Sequence, residues 1–337
     1  MNKVIEMEHI QTSRELEKCP FPIPYGWYAI DLSESLKPGE LRNFLAFDQE
    51  WVLFRGEDGS VGVTDPYCPH LGAHLGHGGE VVGNNLRCPF HHWEYDHQGW
   101  CKNVPYARTM PKICQNQAVL KALPVQERYG LIWAWYHPQG VEPQFALPEV
   151  PELESSDYEP TRHGEWEIGT CLQEIGENSV DFPHLKFLHG APDIPPGKAT
   201  LEGHVFHFAI GDENPDSFID IVGQSHGPGI QVVRHSAAGV TMLMFSTPLP
   251  LGADKTLSRM HFTFRSFPDG SDERIVAEKL YQHSIGAVEG EESAGFEAVD
   301  MIVWNNKKYR PKPILCDGDG PIAKWRKYFR QFYVELD

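Results

Sequence analysis

Long apolar runs are missing from this sequence. No stretch of about eighteen apolar residues occurs, so no membrane-spanning helix is expected. Positive charge is scarce as well: Lys and Arg total 29 against 47 Asp and Glu, a formal charge of −18. A chain this acidic lacks the basic surface that nucleic-acid phosphates require. Cysteine is limited to seven residues, an odd number with no framework spacing, which speaks against a disulfide scaffold and suits a reducing cytoplasm. The segment 1–18 is charged and polar, without an apolar core ahead of a cleavage site, so export is not expected. Internal repeats and low-complexity tracts are lacking too. What remains is a 337-residue chain, 41% hydrophobic and 12% aromatic, of a size for two globular domains.

The most informative stretch is Cys68-Pro69-His70 followed by Cys88-Pro89-Phe90-His91. Two soft thiolates and two borderline imidazoles suit a [2Fe–2S] cluster with one iron held by sulfur and the other by nitrogen, the ligand set of a Rieske centre. Structural zinc also uses Cys and His pairs, usually spaced by two to four residues, and the one-residue gap between Cys68 and His70 is tight for that. The remaining cysteines, Cys19, Cys101, Cys114, Cys171 and Cys316, read as free thiols.

Short strand-like runs surround this motif: Gly26–Ile30, Leu41–Phe47, Glu50–Arg55, Val61–Thr64 and Tyr129–Tyr136, separated by turn residues. That pattern predicts an antiparallel sandwich or small barrel. The four prolines at 138, 143, 148 and 151 predict an extended linker outside any core. Beyond it, 165–171 reads as strand and 172–189 as helix with a proline inside. Five β-rich runs follow between 204 and 267, and a helical pattern covers roughly 273–308, interrupted by Gly286, Gly290 and Gly295. The fold class expected is α+β: an N-terminal all-β domain over 24–140 after an extension 1–23, then a domain over 141–337 with an antiparallel sheet and a long C-terminal helix.

A second site is suggested by Asn178-x-x-Asp181-x-x-His184-x-x-x-x-His189. Two His and a distant carboxylate are the donors of a facial triad, which leaves positions open on ferrous iron. Five-residue spacing does not put both His on one helix face, so a local irregularity is required, and Pro183 supplies a cause. The third ligand has several candidates: Glu289, Glu291, Glu292, Glu297 and Asp300.

Together these motifs resemble the catalytic subunit of the Rieske non-haem iron oxygenases. Cys68-Pro69-His70-Leu71-Gly72-Ala73 and Cys88-Pro89-Phe90-His91-His92-Trp93 follow that family's consensus, except that His92 stands where a small residue is usual. Similarity extends from about Pro20 to Val334. Within the family, Tyr25–Tyr28, Cys68–Gly79 and Leu315–Pro321 look like the oxygenase component of 3-ketosteroid 9α-hydroxylase and, more loosely, the cholesterol 7-desaturases. The resemblance implies that Cys68, His70, Cys88 and His91 hold the cluster, and that His184 and His189 hold iron with Asp300, Glu297 being the runner-up. It implies that Asp181 bridges the two centres and that Asn178 lies near the iron. It also implies a START-like or helix-grip catalytic domain, a homotrimer, and electrons from NAD(P)H through a ferredoxin or ferredoxin reductase. The expected reaction is O2-dependent hydroxylation of a bulky hydrophobic ring, steroid- or sterol-like. Relatives with the same ligands demethylate, desaturate or dihydroxylate, and an electron carrier or START-like lipid binder is the reading from another class. The basic residues Lys307, Lys308, Arg310, Lys312, Lys324, Arg326, Lys327 and Arg330 form either a face for an acidic electron donor or an ordinary solvated face.

Overall fold

The computed structural model describes residues 18–211, 220–285 and 296–334, the side chains of 296–298 excepted. Every sheet is antiparallel. In the N-terminal half, Gly26–Leu32, Leu131–Tyr136 and Val125–Arg128 make one sheet, and Leu41–Ala46, Gln49–Arg55, Val61–Thr64 and Ala122–Leu123 a second. A third carries the cluster motif's flanks: Glu80–Val82, Asn85–Arg87, Glu94–Tyr95 and Cys101–Asn103. The short-strand pattern around the motif is therefore realised as three small sheets.

The C-terminal half is built on an eight-stranded sheet. Its main path runs Arg162–Ile168, Lys255–Phe264, Val240–Ser246, Gln231–Ala237, Asp220–His226, Val205–Ile210 and Gly197–Glu202, with Leu249–Gly252 paired to Lys255–Phe264. Gly197–Glu202 and Leu249–Gly252 carry little apolar alternation, which is why the sequence reading passed over them. The helical tract appears as Asp272–Ile285 and Phe296–Trp304, while Gly286, Gly290 and Gly295 lie outside the described residues. A further helix, Ile322–Arg330, was not anticipated; it buries Ile322, Trp325, Tyr328 and Phe329 along one side.

The tract 172–189 is not one helix. It divides into Leu172–Gly176, a 3₁₀ turn Glu177–Val180, and Phe182–Phe187. The break falls at Asp181 (φ −92°, ψ 80°), and Pro183 occupies the first turn of the last piece, where a missing N–H costs nothing. Pro183 thus starts a helix instead of kinking one.

Two features join the halves. The hairpin between Leu41–Ala46 and Gln49–Arg55 turns through Phe47 and Asp48, both at positive φ (57° and 61°). Such a turn usually takes Asn or Gly. Here Phe47 is buried and stacked on Tyr136 at 4.4 Å, and the Phe47 and Asp48 N–H groups donate to the carbonyls of Pro250 and Leu251. The proline-rich linker is the second feature, and it differs from the expectation of an exposed spacer. Leu147 and Val150 are buried with Trp27, Trp133 and Trp135, while the indoles of Trp27 and Trp135 donate to the carbonyls of Phe145 and Val141. Proline fixed its extended shape, but the tryptophans supplied a surface to lie on.

His261, on Lys255–Phe264, is buried close to Phe245, and burial pushes its pKa down to about 3, with Arg259 and His163 adding to the effect. The unfolded chain binds a proton there near pH 6.5 and the folded chain does not, so this contribution is complete above that pH and is lost as pH falls toward the folded value. His261→Leu is expected to flatten the fall in thermal midpoint between about pH 6.5 and pH 4. Parallel midpoint curves for variant and wild type would refute the assignment.

Candidate metal centres

The two cluster loops are built alike. In the first, Gly72 N–H donates to Cys68 O at 2.9 Å and Cys68 N–H to Ala73 O at 2.9 Å. In the second, His92 N–H donates to Cys88 O at 3.1 Å and Cys88 N–H to Trp93 O at 2.8 Å. His92 stands where Gly72 stands, and both have positive φ, 59° and 76°. The matched loop explains why a small residue is usual at position 92: the backbone there is left-handed, a conformation that costs a side-chain-bearing residue about 1 kcal/mol. His92 adopts it with its side chain exposed.

The four predicted cluster residues converge. Cys68 and Cys88 are both buried in one apolar cluster, and the His70 and His91 rings lie 4.9 Å apart. His70 stacks on Trp93 at 4.5 Å, and the Trp93 indole donates to Tyr106 Oη. His91 Nδ1 is buried with no hydrogen-bond partner among the described residues. Burial pushes the Cys68 thiol above its ordinary pKa, with Tyr95 opposing. A buried thiol and an unpartnered imidazole nitrogen in one place fit metal ligation, because an iron cluster supplies the positive charge that burial otherwise withholds. Tyr95, whose hydroxyl lies 3.1 Å from Cys68 Sγ, was not singled out by the sequence. Its only signal is its position just beyond the second motif.

The second set also converges. Donor atoms of His184, His189 and Asp300 all lie within 4.8 Å of one another. Asp300 is 1% exposed, and its Oδ2 lies 3.3 Å from His189 Nε2. His184 Nδ1 meets the main-chain carbonyl of Asp181, so the proton belongs on Nδ1 and the Nε2 lone pair is open. Nε2 is buried with no hydrogen-bond partner among the described residues. That open nitrogen beside a buried carboxylate fits a ferrous ion with two His and one carboxylate.

Asn178 Nδ2 donates to Asp300 Oδ1 at 3.0 Å, and its own Oδ1 faces Trp304 Nε1 at 3.4 Å. Asn178 therefore holds the carboxylate. Within this one chain, Asp181 meets His184 Nδ1 through its main-chain carbonyl and not through its carboxylate. Burial raises the Asp181 pKa, opposed by His184 and Lys307. Among the competing acids, Glu289, Glu291, Glu292 and the side chain of Glu297 fall outside the described residues.

Packing from behind fixes this segment. The Arg326 guanidinium grips Glu177 at 2.7 and 3.1 Å, and Lys307 pairs with buried Glu174 at 3.0 Å. A Cβ on Gly176 would fall 2.3 Å from the Trp325 ring, and one on Gly320 would fall 1.6 Å from Val180 O. Three of the eight basic residues are thereby committed inward, since Lys324 Nζ also donates to Ala199 O. His184, His189 and Asn178 open into a cavity of about 360 Å³ between sheet and helices, walled by such residues as Phe208, Ile210, Met244 and Met260.

Comparison with known proteins follows the same division. Residues 26–121 match the Rieske [2Fe-2S] domain, and residues 134–333 match the 3-ketosteroid 9α-hydroxylase C-terminal domain. Cholesterol 7-desaturase of Caenorhabditis elegans is 30% identical over 98% of this chain and 81% of its own. A probable 3-ketosteroid-9-alpha-monooxygenase oxygenase component of Rhodococcus rhodochrous is 30% identical over 93% of this chain and 80% of its own. Dicamba monooxygenase bound to dicamba shares the fold with a TM-score of 0.66 at 18% identity, over 91% of this chain and 96% of that one. The QL mutant of Pseudomonas putida CBB5 NdmA with caffeine does so with a TM-score of 0.68 at 21% identity, over 90% and 89%.

The molecule is thus a Rieske non-haem iron oxygenase, an oxidoreductase whose cofactors are a Rieske [2Fe–2S] cluster and a mononuclear iron. Within that class the chain belongs to the family that carries the 3-ketosteroid 9α-hydroxylase C-terminal domain.

Because Asn178 Nδ2 donates to Asp300 Oδ1, Asn178→Ala is expected to weaken mononuclear-iron retention about 10–100-fold while the cluster stays loaded. Competition with a ferrous chelator measures the first and the visible spectrum the second; unchanged iron retention would remove Asn178 from this role.

Proposed function

We propose that this chain is the terminal oxygenase component of a monooxygenase that hydroxylates a bulky hydrophobic ring substrate, steroid- or sterol-like. The observation that supports it most directly is the apolar cavity of about 360 Å³ into which His184 and His189 open. Its walls reward an apolar polycycle by surface burial and offer few groups for a charged one. Two relatives' names point the same way: a cholesterol 7-desaturase and a 3-ketosteroid-9-alpha-monooxygenase component. In overall balance, one C–H bond, O2, two electrons and two protons become a C–OH group and water. When bound, the cluster relays electrons and the ferrous ion activates O2.

The chain's residues then have these proposed parts. Cys68, His70, Cys88 and His91 hold the cluster, and His184, His189 and Asp300 hold the iron. Asn178 fixes Asp300. The proposed division is an extension 1–23, a Rieske domain 24–140 and a catalytic domain 141–337. Electrons would come from NAD(P)H through a ferredoxin or ferredoxin reductase, in the cytoplasm. The assembly proposed is a head-to-tail homotrimer in which His91 of one copy approaches Asp181 of the next. Leu71, Phe90 and Tyr106 support that arrangement, being exposed apolar side chains (65%, 60% and 59%) on or beside the cluster loops. With its carboxylate not engaged by His184, Asp181 has acceptor capacity for a neighbour's imidazole.

A panel of steroids, sterols and smaller aromatic rings, supplied with a surrogate reductase, tests the substrate class. Product from the steroids with coupled O2 and NADH consumption is the expected result, and turnover confined to small rings would overturn it. Asp181→Asn is expected to keep both metals and lose nearly all product formation; near-normal turnover by that variant would exclude the bridging role.

A further inference from the structure

A third group of metal-competent side chains meets on the N-terminal half, on the loop that continues from Cys68 and His70. Donor atoms of Glu50, His74 and His77 all lie within 4.8 Å of one another. We infer that these three residues form a further metal site, for a borderline divalent transition ion such as Zn²⁺.

The fold brings them together from two directions. Asn43 pairs with Val52 and Leu45 with Glu50, so Asn43, Leu45, Glu50 and Val52 share one face of the hairpin. The segment after the first cluster motif, closed on itself by Leu75 N–H donating to Pro66 O and by the bridge between Tyr67 and His74, meets that face through Asn43–His77 and Glu50–His74. His74 and His77 stand with ring centroids 4.3 Å apart, and His74 Nε2 lies 3.3 Å from Glu50 Oε2. The His74 side chain is largely buried (14% exposed), Glu50 is at 40%, and His77 is open to solvent. An ion can therefore reach the site from outside and keep water on its remaining positions.

One buried nitrogen points to a missing partner: His74 Nε2 lies 3.3 Å from Glu50 Oε2 without forming a hydrogen bond to it. Asn43 Oδ1 is also buried without a hydrogen bond among the described residues. Asn43 reaches His77 Nε2 through its amide at 3.3 Å. With the amide's N and O exchanged, Asn43 Oδ1 accepts the His77 Nε2–H, which satisfies Asn43 without an ion and leaves Nδ1 as the His77 ligand atom. Asn43 can stand there only because residue 76 is glycine: a Cβ on Gly76 would fall 1.6 Å from Asn43 Oδ1.

His74 makes the main adjustment. Without an ion, its Nδ1 accepts the Gly76 N–H, so its proton sits on Nε2, facing Glu50. Binding moves that proton to Nδ1 and gives up the Gly76 contact, one hydrogen bond exchanged for a metal–nitrogen bond. Two imidazoles and one carboxylate suit Zn²⁺, Ni²⁺ or Cu²⁺ better than the hard ions Mg²⁺ or Ca²⁺. An ion here would tie the strand Gln49–Arg55 to the loop that continues from Cys68 and His70. The inference stands apart from the reading of substrate and reaction.

Zn²⁺ titration of the holoenzyme by calorimetry, followed by dialysis and metal counting, tests it. His77→Ala is the main variant, since an exposed side chain can be removed without unfolding the loop, and the Rieske absorption reports that the fold is kept. Wild type is expected to bind one zinc more than His77→Ala, and to gain thermal stability with zinc where the variant does not. A His184→Ala, His189→Ala double variant is expected to keep this zinc, separating it from zinc at the mononuclear site. Equal zinc counts in wild type and His77→Ala, or loss of the zinc in the double variant, overturns the assignment.

Discussion

Burial of one carboxylate sets the terms for the catalytic half. Asp300 is 1% exposed, and no Lys or Arg among the described residues pairs with it. An ionised carboxylate left so in a protein interior costs several kcal/mol unless positive charge is brought to it. Asn178 satisfies Oδ1 but adds no charge. His184 and His189 gather on the other side, and a divalent cation among the three donors resolves the electrostatics that the polypeptide alone leaves open. The surrounding architecture then reads as support for that arrangement. Glu177 is gripped by Arg326, Glu174 by Lys307, and two glycines let the helix Ile322–Arg330 and its leading turn press close behind the segment that leads to His184.

The same economy of charge explains why the acids flanking Asn178 do not compete for the iron. Glu174 and Glu177 are as buried as many ligands, yet each already has a cation of the chain's own. Among the described residues, Asp300 is the acid whose carboxylate meets both histidines. The basic residues near the C-terminus are thus partly structural: an Arg and two Lys that look like a docking stripe in the sequence spend their donors inside the molecule.

The cluster motif and the His pair were legible because their chemistry is local: ligand spacing within a turn is written in consecutive residues. Asp300 lay more than a hundred positions from its partners, and spacing alone left five acids in contention; the resemblance to a family selected it. Other features were out of reach for physical reasons. Phe47 at positive φ contradicts residue preference and is held by Tyr136 and by the carbonyls of Pro250 and Leu251, which are tertiary contacts. The linker's burial depended on tryptophans that a proline count does not see. The helix Ile322–Arg330 is short and follows a glycine- and aspartate-rich turn, so its apolar side was too brief to register as a period. His92 shows the reverse case, a sequence oddity that becomes intelligible once its loop is laid beside the one containing Gly72.

Asp181 concentrates several demands in one residue. Its φ and ψ end the 3₁₀ turn and let a new helix begin at Phe182, which is what brings His184 and His189 to one point despite their awkward spacing. Its carbonyl fixes the tautomer of His184, a task any residue's backbone can perform. What the backbone cannot supply is an anionic acceptor at the edge of the site. The two functions are separable, because removing the carboxylate's charge leaves the carbonyl and the chain's course in place. An aspartate's charge at this bend is therefore unnecessary for holding His184, whose Nδ1 meets the carbonyl alone.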